Sequence, residues 1–415
     1  MKRLLTITMV LISALSLFSA SGAGQDLQEA GFSGLQNPNF TEVYLVTCGA
    51  GEETYSMYGH SALRIVNRSE GSDIVYNWGV FDFSTPNFAV KFARGRLDYL
   101  LASYSYQSFL QEYFREERSV VTQRINLSAG QIEMLNMLLA ENMRPENRSY
   151  RYDFFMDNCA TRIRDILEQT LGENLVYPND VVYGTESTTS VDYEAVKQDD
   201  TPSFRDRINE YQQGSLVWLD AGIDLLLGSP ADRNCGFRES MFLPDYLMAN
   251  MSQANVESGQ GSIPLLGEAV PAFEFESPSM ENRFYLMPWF LLGVAAVLLI
   301  VITYRIKEGA FQKIFDLLFF IFMAALSFLM IFTNYLTDHA AMGSNYNIIW
   351  LNPLLLAAPV MIFLRPPNRW FWKSQIALTV TFMAVIVIVN QSVNPAWIPV
   401  MLLLIARSHY RLTTF

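Results

Sequence analysis

Residues 42–51, EVYLVTCGAG, alternate apolar and polar positions into a short strand that breaks at its glycines. Two more strand-like runs follow, HSALRIVN (60–67) and SDIVYNWGVFDF (72–83), and RSEGS between them reads as a hairpin turn. Over 97–127 a helical pattern is mixed with a strand at SVVTQRINL. SAGQIEMLNMLLAENM then places Ile132, Leu135, Leu138 and Leu139 at helical spacing behind Ser128, a good N-cap. In NCATRIRDILEQTLG the face is Ile163, Ile166, Leu167 and Leu171, with Gly172 as the C-cap. These elements predict an α+β domain, a small antiparallel sheet with packed helices.

At both ends of the chain the pattern gives way to continuous apolar runs. Lys2 and Arg3, an apolar stretch over 4–18 and the small residues SASGA read as a secretory signal peptide over 1–23, and an uncleaved anchor is the alternative. From Phe284 onward apolar runs recur at about 284–304, 315–336, 346–364, 376–392 and 396–407, which predicts five membrane spans. The segments YRIKEGAFQK, RPPNRWFWK and ARSHYR carry the basic residues, whereas TDHAAMGSNYN and NQSVNPAW carry none. Basic segments stay cytoplasmic, so five spans put the domain before Phe284 outside and Phe415 inside. The expected layout is a leader over 1–23, an exported domain over 24–275 and a membrane domain over 284–415. The Gly/Pro/Ser/Glu-rich stretch 253–282 reads as a linker descending to the membrane.

The net charge of −12 is concentrated in the exported part and argues against nucleic acid as a partner. Only three cysteines occur, Cys48, Cys159 and Cys235. A Cys48–Cys235 disulfide and three free thiols are both compatible with that number.

Cys159 stands directly after Asp157 and Asn158, both good N-cap residues, and so falls in the first turn of its helix. Unpaired N–H groups and the helix dipole favour a thiolate there. Arg162, one turn on, would add to the effect if it pointed that way. The competing account is a small buried core residue. His60 is the one histidine of the exported part, and His339 and His409 lie in the membrane half. A lone histidine is often structural, but with Cys159 it makes a Cys–His nucleophile and base. No second histidine or CxxC pair supplies metal ligands, and no cofactor is called for.

The blocks YSMYGHSALRIVN, VYNWGVFDF, PNFAVKFARGRLDYLL and YRYDFFMDNCATRIRDIL together resemble the Lnb-type lipoprotein N-acyltransferase family of Bacteroidota type. The resemblance is strong over roughly 40–175, and the five-span end agrees with the family layout. It implies a permuted papain-like (thiol hydrolase-like) domain in which the histidine precedes the cysteine, so His60 and Cys159 take those places. Asn77 is then the candidate that orients the imidazole, with Asp82 behind it. Asn158, Tyr58, Asp82 and His339 are candidates for contact with substrate, and Asp338 and Asn345 share the loop of His339.

The implied reaction moves a fatty acyl chain from a phospholipid, through a Cys159 thioester, to the α-amine of a diacylated lipoprotein at the cell inner membrane. The alternatives are an exported cysteine peptidase or amidase acting on cell-wall peptides, and a non-catalytic membrane sensor. The aromatic stretches FDFSTPNF and YSYQSFLQEYF suit an acyl groove, the membrane interface or plain core.

Overall fold

The computed structural model describes residues 41–51, 53, 56–178, 201–212, 217–258, 261–275, 283–306 and 309–414, and the leader expected at 1–23 lies outside them. The first strand, β1 (Thr41–Cys48), is followed by β2 (His60–Asn67), and a tight turn over 68–71 returns the chain as β3 (Ser72–Val80). A short helix α1 (Phe88–Ala93) leads to β4 (Asp98–Ser105), then to α2 (Tyr106–Arg115) and β5 (Val120–Ile125). Next come α3 (Ala129–Asn142), β6 (Ser149–Arg151) and α4 (Cys159–Leu171).

The helix signals hold. Ser128 and Gln131 form a capping box at the start of α3, and Gly172 ends α4 with φ 55°. Strand β4 lies in the stretch expected to be partly helical. Its alternate residues Leu101 and Tyr99 pack on the core, which rewards the extended form.

Beyond α4 the chain forms β7 (Leu175–Val176), α5 (Phe204–Gln212), α6 (Val217–Leu226), α7 (Phe237–Ser240) and α8 (Pro244–Met251). Strands β8 (Asn255–Ser258), β9 (Gly261–Pro264) and β10 (Leu266–Phe273) follow. The supposed linker is therefore largely structured. Its β10 is an edge strand on β5, where Pro271 is tolerated because an edge leaves some backbone groups unpaired.

The main sheet runs β10-β5-β1-β2-β3-β4-β6, all neighbours antiparallel, and with seven strands it is larger than expected. Strand periodicity divides its residues between two faces. Leu45, Leu63, Tyr76 and Leu101 meet Ile163 and Leu167 of α4, Leu135 and Leu139 of α3, and Leu247 of α8. Val46, Ala62 and Val75 meet Phe109 and Tyr113 of α2 on the other side. The result is a sheet covered on both faces. All three cysteines are free, Cys48 and Cys235 in separate buried clusters, so the disulfide option falls.

The C-terminal part is helical: α9 (Pro288–Arg305), α10 (Ala310–Tyr335), α11 (Ala358–Met361), α12 (Arg369–Val385) and α13 (Ile398–Thr413). Among the described residues α9 and α10 are long and apolar enough to cross a membrane. Both turn large apolar side chains outward, among them Val297 and Leu298 on α9 and Leu318 and Phe328 on α10. The run at 346–364 is not one helix as expected. Asn352 caps Leu354, Pro353 and Pro359 interrupt the backbone ladder, and short 3-10 pieces at 346–349 and 353–357 precede α11. Helix α12 begins inside the basic segment RWFWK and ends at Val385, before the expected 392. Arg407 of α13, wholly buried, donates to Asp316 of α10 at 2.7 Å, a paired charge inside the bundle.

The two uncharged or acidic loops of this part meet the N-terminal domain. Asn345 donates to the carbonyls of Leu225 and Leu226, at 2.8 and 3.1 Å. Asn394 donates to Asp220 and Asp224, both at 3.0 Å, and the Ser392 N–H donates to Asp232 at 3.0 Å. Behind them the buried Arg205 bonds both Asp224 and Asp232 at 2.9 Å. Removing one partner from such a buried pair typically costs about 3–5 kcal/mol, so Arg205 holds in place the two carboxylates that Asn394 and the Ser392 N–H reach from the C-terminal part.

Candidate active site

Strand β2 opens on His60, which lies opposite Cys48 of β1. Gly59 precedes it with φ +76°, and an added Cβ would come within 2.8 Å of the Cys48 carbonyl oxygen, so glycine is needed for this approach. From the neighbouring strand, Asn77 places its Oδ1 2.6 Å from His60 Nε2. The Asn77 amide in turn donates to the Tyr104 hydroxyl of β4 at 2.7 Å. The imidazole also stacks on Tyr113 of α2, with centroids 6.3 Å apart. With Nε2 engaged, Nδ1 is the nitrogen left for a second partner.

That partner is Cys159. Helix α4 starts at it because Asn158 is a complete cap: its oxygen accepts from the N–H groups of Ala160 and Thr161, at 2.9 and 3.0 Å. The Asn158 amide donates to the carbonyls of Phe154 and Phe242, both at 2.8 Å. All four hydrogen-bonding positions of that side chain are used, so Asn158 builds the site and has nothing left for substrate. The Phe242 carbonyl belongs to MFLPDYL, whose Met241, Phe242 and Leu243 are buried, which gives that stretch its role as a brace for the helix start.

Cys159 and His60 meet beside Gly79, whose φ of +100° is a conformation suited to glycine. A Cβ there would lie 3.6 Å from the imidazole and 3.9 Å from Cys159 Cβ. Burial works against charge on both groups, yet their mutual attraction and hydrogen bonds prevail. The His60 charge, together with the N–H groups of Ser61 and Ala160, holds the Cys159 thiol below its ordinary range. The Cys159 charge and the Asn77 bond hold His60 above its own. Each group therefore favours the charged form of the other, an arrangement suited to a thiolate nucleophile beside its proton carrier. The Cys159 N–H, first in its helix, has no intrahelical acceptor, which suits it to donate to an oxyanion.

The other candidates fall elsewhere. Arg162 forms a two-pronged pair with Asp157 and stacks over Tyr150, so its charge is spent on the cap and not on the thiol. Asp82 is exposed and accepts from the Ser84 N–H and hydroxyl, which hold its carboxyl low; Asn77, not Asp82, reaches His60. Tyr58 accepts from Gln212 at 2.5 Å and packs on Phe154 and Tyr211, bracing the loop before His60. His339 contacts the Phe92 carbonyl at 3.2 Å and lies against Gly95, while Asp338 pairs with Arg96 at 2.7 Å. These loop residues and the buried Asn345 join the two parts of the chain and do not contact Cys159 in this arrangement.

Sequence reasoning missed Tyr104, Tyr113 and Gly79. Tyr104 had a faint signal, the alternation in YSY, but only strand pairing puts it behind Asn77. Among the described residues no group of three or more His, Cys, Asp or Glu side chains is arranged to hold a metal.

Two family models match the chain, one described as the Lnb N-terminal periplasmic domain, over residues 34–187, and one as the Lnb transmembrane domain, over residues 280–415. No curated protein and no solved structure matches it.

Proposed function

The chain belongs to the Lnb family and is a membrane protein with a periplasmic N-terminal part, and from that premise we propose that it is a thiol-dependent lipoprotein N-acyltransferase of the inner membrane. The observation that carries this is the Cys159–His60–Asn77–Tyr104 chain in a domain seated on membrane-embedded helices. The order of histidine before cysteine, with a cysteine-headed helix on the sheet, supports a permuted papain-like fold for the domain.

In the first half-reaction the Cys159 thiolate attacks the ester carbonyl of a phospholipid. A C–S bond forms, the carbonyl oxygen becomes an oxyanion facing the Cys159 N–H, and collapse breaks the ester C–O bond. The departing lysophospholipid oxygen takes its proton from His60. In the second half, the α-amine of a diacylated lipoprotein attacks the thioester, His60 accepts the amine proton, and the C–S bond breaks. The amide product leaves and the thiolate–imidazolium pair is restored. Both substrates live in the bilayer, so a catalytic domain held at its surface turns a search in three dimensions into one in two. A wall peptidase would gain nothing from that attachment.

The protein incubated with phospholipid should gain the mass of a fatty acyl group on Cys159. A diacylated lipopeptide with a free α-amine should discharge it to the N-acylated product, whereas the N-acetylated lipopeptide should not. Release of free fatty acid at equal rates with either peptide would make water the acceptor and overturn the transferase.

The proposed topology is multi-pass, with loops 337–347 and 390–397 on the periplasmic face and the C-terminus in the cytoplasm. It is supported by the shared docking of both loops on the periplasmic domain and by Arg305 and Arg411 at the far helix ends. In a Cys159→Ala background, Ser344→Cys should react with an impermeant thiol reagent on intact cells, and Thr414→Cys only after permeabilisation. The reverse pattern would refute it.

A further inference from the structure

Two exposed aromatic side chains of the periplasmic domain, Phe83 and Phe92, lie on either side of Phe88. Helix α1 buries none of its residues, although its sequence FAVKFA is apolar but for one lysine. Phe83 is 71% exposed, Val90 58% and Phe92 48%, a patch of a kind that marks a binding or membrane surface. Its position narrows the choice. Arg94, just beyond α1, donates to the Leu336 carbonyl at 3.1 Å, and Arg94 O accepts from the Asp338 N–H. Helix α1 is therefore joined to the end of α10, at the level where that apolar helix stops.

From this patch aromatic rings lead inward without a gap. Phe92 stacks on Phe88 at 6.2 Å, Phe88 meets Phe83 at 5.1 Å and Phe81 at 5.7 Å, and Phe81 meets Tyr99 at 5.3 Å. Tyr99 stacks on Tyr152 at 4.5 Å. Phe81 is two residues beyond Gly79, where an added Cβ would meet both His60 and Cys159, and Tyr152 packs on the same core cluster as Cys159. Phe81, Phe88, Tyr99, Tyr152 and Cys159 itself all keep some exposure, so the strip of rings runs along the edge of the core and is not wholly sealed inside it. At the outer end Lys91 and Arg94 supply positive charge in an otherwise acidic chain.

We infer that this strip is the binding site for the acyl chain of a membrane glycerophospholipid, with Phe83, Phe88 and Phe92 in the bilayer interface and Phe81, Tyr99 and Tyr152 leading the chain to Cys159. The inference rests on the proposed acyl transfer for its chemistry. A fatty ester leaves its bilayer only if its methylenes stay out of water, and a continuous aromatic strip provides that. Lys91 and Arg94 face the phosphate, which stays at the surface.

Two measurements test it. Full-length protein carrying Cys159→Ala, in vesicles of phosphatidylethanolamine and phosphatidylglycerol, is irradiated with a phospholipid bearing a diazirine on its acyl chain. Labelled peptides are expected to cover residues 81–99 and Tyr152. Label confined to the C-terminal helices overturns the inference, whether or not the protein is an acyltransferase.

In the second, Cys159 acylation is timed for the Phe83→Ser/Phe92→Ser variant with long-chain phospholipid in vesicles and with a soluble short-chain activated ester. Both side chains are exposed, so folding is spared. The ratio of the two rates should fall about tenfold or more, the scale of losing two phenyl contacts with a methylene chain. An unchanged ratio overturns the strip. If the unaltered protein forms no acyl adduct with any donor, the acyltransferase proposal fails, and the labelling pattern still decides the strip.

Discussion

Replacing Cys159 with alanine or serine is expected to abolish thioester formation and N-acylation, by roughly 10⁴-fold or more, because the reaction has no other covalent carrier. The protein should still fold and insert. The start of α4 is held by the Asn158 cap and its bonds to Phe154 and Phe242, none of which involves the thiol. The other cysteines are controls of a definite kind. Cys48 is fully buried and its thiol is pushed far up by that burial; Cys235 is pushed up to about 12 for the same reason. Neither ionises near neutrality, so Cys48→Ser and Cys235→Ser should keep thioester formation and lose only stability. Intact mass after incubation with phospholipid, paired with thermal unfolding, reads both effects. Full activity in Cys159→Ala would end the mechanism.

His60→Ala should slow thioester formation by about 10²–10⁴-fold, the range of a positioned acid–base group. Its pH profile is the sharper test. In the native pair the Cys159 pKa is lowered and the His60 pKa raised. The reactive thiolate–imidazolium state is lost as pH falls through the lowered cysteine value, and lost again as pH rises through the raised histidine value. The native rate of acylation therefore follows a bell. Without the imidazole, the attracting charge and its hydrogen bond are gone, while burial still opposes the thiolate. The remaining rate should then only climb with pH, toward or above the free thiol range near about 8.5. A bell of unchanged position in His60→Ala would show that another group carries the proton.

How much of this was legible in the residues depends on the reach of each signal. Local signals did well: Ser128, Asn158 and Gly172 mark helix ends because a cap is made by neighbours in the chain. Strand β2 begins and ends where its apolar run does. The stretch 253–282 misled because Gly and Pro are read as loop formers, whereas an edge strand accepts them. The run at 346–364 misled in the opposite way. Its apolar composition is that of a span, but Asn352 and Pro353 remove the backbone continuity a helix needs.

The sequence by itself determined the α+β character of the first part, the helical membrane part, and the candidate pair Cys159 and His60 that the fold brings together. Those follow from periodicity, composition and the scarcity of cysteine and histidine, all of which are properties of the chain read in order. Only the tertiary structure decided that Asn77 and Tyr104 stand behind His60, that Arg162 serves Asp157, and that His339 and Asn345 join the two parts. It also drew Phe81, Phe88, Tyr99 and Tyr152, scattered over 72 positions of sequence, into one strip. The physical reason is common to all of them. Hydrogen bonds and ring contacts act over a few ångströms, so they depend on which strands pair and which helix covers which face, and no local pattern encodes that.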